Sequence, residues 1–176
     1  MTDYKVLNID PIEALCLDRP STYGVERVFP DGRKFVYCYT AITTFLKGCV
    51  ACLTFTGGGT IGQNPRATVP ATTTGIVHKW GICCEDVTAA GGIWVQTFGH
   101  CDFARVDGTT DTTVGMPLQA VNTGYALITD GASTVTADTI AFAETVETDT
   151  LTAQGNATYG AADNTVFLLD RWAALG

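Results

Sequence analysis

The run from Arg27 to Gly48, RVFPDGRKFVYCYTAITTFLKG, constrains the fold more than any other part of the chain. Pro30 presets φ for a turn, and Asp31 and Gly32 supply its polar and φ-positive corners. Beyond the turn, Phe35, Tyr37 and Tyr39 fall on one face of an extended chain and Val36 and Cys38 on the other, the period of a β-strand. The segment is read as a hairpin with an aromatic face.

Strand character recurs along the chain. Cys49 to Phe55 is a strand by residue type and ends in Gly57-Gly58-Gly59, which breaks it and permits a mobile loop. Residues 60–74, with Pro65 and Pro70, read as a surface loop. Gly75 to Cys84 is the next strand, and an Ala89 to Gly92 turn feeds a strand from Ile93 to Phe98, in which Trp94, Gln96 and Phe98 share a face. Cys101 to Val106 follows, up to an Asp107-Gly108 turn. Later strand candidates are Gly124 to Thr129, Ser133 to Thr136, Ile140 to Val146 and Thr165 to Leu169, while residues 150–162 are poor in large apolar side chains and read as a loop.

Many β-branched residues, few long helix formers and frequent turn signals point to an all-β protein, a closed barrel or a sandwich. Helical turns are expected only near Ile12 to Leu17 and Leu169 to Leu175. The expected organisation is an extended N-terminal arm over residues 1–24, a β domain over 25–146 and a C-terminal extension over 147–176. At 176 residues the chain is long enough to bury a core without covalent staples.

Charge narrows the partners. Ten Lys and Arg against 18 Asp and Glu give a net charge of −8, so attraction to a phosphate backbone is absent as a property of the whole molecule, and nucleic acid is not expected. The start, MTDYKVLNID, has no basic segment leading into an apolar run, and no later stretch approaches the ~18 uncharged apolar residues of a membrane span. A soluble protein made in the cytosol is the expectation, with no membrane partner. A mean hydropathy of +0.18 with 16% charged residues leaves Thr, Ala and Gly to cover much surface, part of it expected to be occluded in an assembly.

Residues that carry chemistry are scattered. Cys49-x-x-Cys52 has ligand spacing, and Cys83-Cys84 with His100-Cys101 offer further donors, yet adjacent Cys83 and Cys84 point to opposite faces of a strand. No metal site is assigned, and the seven cysteines are read as small buried thiols without disulfides. His100-Cys101-Asp102 contains the letters of a triad, but neighbours on a strand alternate faces, so no catalytic residue is assigned. Gly57 to Gly62 lacks the Lys-Ser/Thr of a phosphate loop. Asp107, Asp111, Asp130, Glu144, Glu147 and Asp149 match no calcium-loop spacing and are read as solvated acids. Tyr37, Tyr39, Trp80, Trp94 and Phe98 are read as core, with a sugar-stacking platform as the alternative. Arg27, Arg33, Lys34 and Arg66 lie in the N-terminal half, against the prevailing charge. The chain is expected to hold no cofactor and to be no enzyme.

Four words, in order, carry a resemblance. Asp31-Gly32-Arg33-x-Phe35-x-Tyr37 opens the set, and Trp94-Val95-Gln96-x-x-Gly99 follows its turn. Then come Thr113-x-Gly115-x-Pro117-Leu118 and Ile140-Ala141-Phe142-Ala143, where Ala141 replaces the glycine of an I-G-x-A pattern. In this order they resemble a family of small structural proteins of tailed bacteriophages, the capsid decoration or cement proteins. The resemblance implies a virion protein on the outer capsid surface, with the major capsid protein as partner and self-association as a dimer or trimer. The alternative is a tail, fibre or adsorption component that binds host glycans.

Overall fold

The computed structural model describes residues 11–55, 65–70, 78–107, 112–121, 124–129, 139–145, 152–154, 157–159, 161–170 and 172–173. The strand expectations at 133–136 and the glycine run at 57–59 lie outside them. One helix, α1 (Pro11–Leu17), precedes the strands β1 (Glu26–Val28), β2 (Lys34–Thr40), β3 (Val50–Thr54), β4 (Arg66–Thr68), β5 (His78–Cys83) and β6 (Gly91–Val106). After these come β7 (Pro117–Ala120), β8 (Leu127–Thr129), β9 (Ala141–Ala143), β10 (Thr152–Gln154), β11 (Ala157–Tyr159), β12 (Ala161–Leu169) and β13 (Trp172–Ala173). The fold is all-β, with strands over about half the chain.

Alternation in β2 builds the first layer of packing. Val36 and Cys38 turn one way, into a cluster with Ala51, Leu53, Ala67, Cys83, Ile93 and Val95. Those residues come from β2, β3, β4, β5 and β6, the strands that close into a five-stranded barrel. They are small or branched, as the interior of a narrow barrel requires. Phe35 and Tyr37 turn the other way, joining Val50, Trp80, Ile82 and Trp94 in a second cluster under α1. Both faces of β2 are therefore buried, which accounts for a strand with almost no polar alternation.

The central element is β6, sixteen residues long. Its first half pairs with β2, Tyr37 opposite Trp94, and with β5. Its second half pairs with β12 and, at Val106, with β8. Since β12 pairs β9, β9 pairs β7 and β7 pairs β8, a second ring of ladders closes on the same strand. Leu118, Leu127, Val166, Leu168, Cys101 and Val106 form the part of the large cluster that this ring encloses. The sequence reading divided β6 into two strands. The join is Gly99, at φ +89°, where the bordering carbonyls of Phe98 and His100 both accept hydrogen bonds from Gln96 Nε2, at 3.2 and 2.8 Å. A fully buried Gln96 thus lets the strand bend without leaving those carbonyls unpaired.

Four further expectations differ from the structure. Residues 60–74, read as a surface loop, contain β4, which buries Ala67 in the barrel. The segment expected as an extension from residue 147 supplies β12, which lies between β6 and β9, so it belongs to the same folded unit as the barrel. Residues 150–162, read as a loop, contain the β10–β11 hairpin and the start of β12. The helical turn expected over Leu169 to Leu175 is replaced at Trp172–Ala173 by β13, which pairs β5. Asp170, at φ +43°, redirects the chain between β12 and β13.

Asp170 also closes one end of the barrel. Lys34 and Thr97 continue the inward faces of Val36 and Val95, and Lys79 lies opposite Leu53 in the β3–β5 ladder, so all three converge there. The carboxylate stands 2.9 Å from Lys34 Nζ and 2.8 Å from Lys79 Nζ. Burial alone would raise its pKa, but the two lysines outweigh burial and hold it below the usual carboxylate value. A carboxyl depressed in the folded state contributes stability that is present above its unfolded pKa and lost as pH falls through the folded one. Asp170→Asn, which keeps the shape and tolerates positive φ, is expected to cost about 2 kcal/mol at neutral pH, discounted for the half-exposed Lys34. Denaturant titrations should show the gap to the native protein narrowing below about pH 4. An equal gap at pH 7 and at pH 2.5 would assign the loss to something other than this charge.

Candidate functional site

The face outside the barrel is built by the chain between α1 and β2. Ile12 and Leu15 of α1 are buried on the large cluster, while Leu17 is 76% exposed. Past the helix, the carbonyl of Asp18 accepts a hydrogen bond from Trp94 Nε1 at 2.7 Å. Arg19 grips both carboxylate oxygens of Glu85, at 2.7 and 2.5 Å, and donates to the carbonyl of Gly92 at 2.9 Å. The Glu85 hydrogen bond raises the guanidinium pKa against the opposing effect of burial. Tyr23 stacks on Tyr37 at 5.6 Å, and Tyr37 leans on Trp94 at 5.1 Å. Arg27 covers the Trp94 ring at 5.9 Å and meets Asp18 at 3.2 Å.

These contacts leave a groove of about 420 Å³ between α1 and the hairpin, lined by Pro11, Ala14, Leu15, Asp18, Arg27, Phe29 and Pro30. Beside it runs β1, which among the described residues pairs with β2 alone and ends the sheet. All of β1 is exposed, Val28 at 63%. An open strand edge next to exposed apolar side chains is a surface that can add strands or seat on another chain.

The aromatic set expected as core is core at its centre. Trp94, Trp80 and Tyr37 are 0%, 4% and 5% exposed, so their ring faces offer no platform for a sugar. Tyr39 is half-buried under Arg66. Among the basic residues, Arg33 pairs with Asp31 across the turn and Lys34 with Asp170.

Cys49 and Cys52 lie in different clusters, as do Cys83 and Cys84, and among the described residues no three His, Cys, Asp or Glu side chains gather as metal ligands. His100 and Asp102 face outward while Cys101 is buried between them. His100 Nδ1 instead meets Glu144 at 2.7 Å. Burial pushes the thiols up, Cys49 to about 11 and Cys52 and Cys101 to about 12, which keeps them protonated and unreactive. Of the carboxylates read as solvated, Asp111, Asp130, Glu147 and Asp149 lie outside the described residues. No described helix is long and apolar enough to cross a membrane.

The four sequence words meet in two pairs, the first with the second and the third with the fourth. Gly32, Gly99 and Gly115 all have positive φ, so each of the first three words holds a turn or bend that favours glycine. Arg33 of the first word packs its Cγ 3.2 Å from where a Cβ of Gly99 would stand. Gly115 N donates to Ala143 O at 2.7 Å, and Leu118 pairs Ala141, which joins the third word to the fourth. Sequence reasoning missed the Arg19–Glu85 grip and the Asp170 cluster, since neither leaves a local spacing signal. Compared with known proteins, the chain matches no protein family and no curated protein.

Proposed function

We propose that this chain is a virion structural protein of the capsid decoration or cement type, binding the outer surface of an assembled bacteriophage shell and stabilising it. The observation that supports the reading is that the four words, whose order resembles that family, pair in the fold: the first lies against the second in the β2–β6 ladder, and the third against the fourth in the β7–β9 ladder. The exposed β1 edge with Leu17 and Val28 gives such a protein a surface for contact with the major capsid protein or with further copies of itself.

The mechanism is linkage. A protein that binds the assembled shell and not its separate subunits adds its binding free energy to the assembled state. Modest contacts suffice when a lattice repeats them, and self-association multiplies them. The net charge of −8 directs the protein away from packaged nucleic acid and toward protein contacts.

Quantitative mass spectrometry of purified virions tests the reading. Copies of this chain in a simple lattice ratio to the major capsid protein are expected, with loss of heat resistance and normal adsorption in particles that lack it. A handful of copies per particle would place it at the tail or fibres. Absence from the virion would overturn the structural reading altogether.

A further inference from the structure

The seven cysteines are all reduced thiols, and six of them are buried. Cys16, on α1, is the half-buried one. Its Sγ donates to the carbonyl oxygen of Cys84 at 3.6 Å. Both residues line a solvent-connected cavity of about 250 Å³, together with Ile12, Glu13, Lys47, Glu85 and Asp86. Cys84 belongs to the large core cluster against which Cys16 packs. Burial raises the Cys84 thiol well above its ordinary pKa, and the neighbouring Cys16, Cys101 and Cys83 raise it further.

We propose that Cys16 and Cys84 form an oxidation site, closed to an intrachain disulfide by a small-molecule disulfide such as glutathione disulfide. The cavity admits the reagent to Cys16. Its thiolate attacks one sulfur of the reagent, the reagent's S–S bond breaks, and one small thiolate leaves and takes up the proton that Cys16 lost. Cys84 then gives up its proton and attacks the Cys16 sulfur. The protein S–S bond forms, the mixed disulfide breaks and a second small thiol leaves. Two protein thiols thereby lose two electrons and two protons, and the reagent gains both.

Exposure sets the order, because Cys84 is buried and cannot meet the reagent first. It also sets selectivity. Cys49 and Cys83 are a second close pair, opposite each other where β3 leads into its ladder with β5, with Cys83 N donating to Cys49 O at 2.9 Å. Both are fully buried in the barrel, where no reagent reaches. A Cys16–Cys84 bond needs the Cα separation of about 4.4–6.8 Å that disulfides demand, and α1, a seven-residue helix seated mainly through Ile12 and Leu15, is the element that would adjust to it. The product fastens the helix to the barrel, closing a loop between positions 68 apart. The proposal is independent of the capsid reading.

The test treats the folded chain with glutathione disulfide, blocks remaining thiols and maps peptides without reduction. The expected result is one cross-linked species, Cys16 to Cys84, and a rise in Tm of roughly 5–12 °C that dithiothreitol reverses. Cys16→Ser should abolish both. Cys84→Ala should leave glutathione on Cys16, the trapped intermediate. If Cys84→Ala fails to fold, the map of the unsubstituted chain with Cys16→Ser as control still decides. Glutathione retained on Cys16 with Cys84 present, a Cys49–Cys83 cross-link instead, or no oxidation at all would overturn the proposal.

Discussion

Gly48→Ala is expected to destabilise the protein by roughly 3–5 kcal/mol, a drop in Tm on the order of 10 °C. Gly48 sits at φ +88°, where a Cβ costs about 1–2 kcal/mol by itself. The larger cost is steric. A Cβ there would stand 2.1 Å from the carbonyl oxygen of Phe103, with Arg105 Cγ at 3.1 Å. That oxygen belongs to the backbone of β6, held on its other side by β12, and it cannot swing away as a flexible side chain would. Gly48 is also fixed by its own bonds, donating to Cys83 O and accepting from Arg105 N, both at 2.9 Å. Gly32→Ala is the matched control. Its φ is +90° and nothing lies within 4 Å of the added atom, so only the conformational cost of about 1 kcal/mol applies. Thermal melts of the two variants separate strain from collision, and equal losses would mean that the loop before β3 does not press on β6 as described.

The contrast between those glycines shows what could be read from the chain and what could not. Gly32 announced itself, because Pro30-Asp31-Gly32 between two extended runs is a local signal and the turn is made by those residues alone. Gly48 carried no such signal. Its role depends on Phe103, 55 positions away, which no spacing rule connects to it. The same division runs through the fold. The strands β2 and the start of β6 were legible from their runs of aromatic and β-branched residues after turn signals, although burial on both faces leaves β2 almost no polar alternation. That β6 continues through Gly99 was hidden, because Gly99-His100 looks like the end of a strand until Gln96 is seen bonding the carbonyls on both sides. The membership of β12 in the central sheet was hidden for a different reason: its pairing with β6 joins segments about 60 residues apart, and sequence patterning marks a strand without naming its partner.

For the candidate site the balance is similar. That cysteines would be buried thiols followed from residue type. Which sulfurs approach each other did not, since Cys16 and Cys84 meet only because α1 folds back over the strand end. Lys34 reads only as one of four basic residues set against the prevailing charge, and Asp170, 136 positions later, makes it a lid on the barrel. The exposed β1 edge was half legible: the hairpin was expected, but not that among the described residues its outer strand would stand at the end of the sheet.

Trp94→Ala is expected to cost about 3–5 kcal/mol, the range for deleting a large buried aromatic side chain. The ring is fully buried beside Tyr37, and its Nε1 is the donor that satisfies the Asp18 carbonyl. Trp94→Phe separates these contributions. It retains most of the apolar volume and removes the hydrogen bond, for an expected loss of about 1–2 kcal/mol. The structural consequence should be local, since Asp18 is the point where the chain leaving α1 is pinned to the barrel. Limited proteolysis after Arg19 should therefore accelerate in both variants, more so in Trp94→Ala, while cleavage elsewhere follows global stability. The same substitution bears on function. A sugar-stacking tryptophan on an open platform would be lost with the fold intact and binding gone. A tryptophan that carries the packing of the α1 face would be lost with stability. Melting curves of Trp94→Ala unchanged from the native protein would contradict the burial described for this ring and return the aromatic face to consideration as a binding surface.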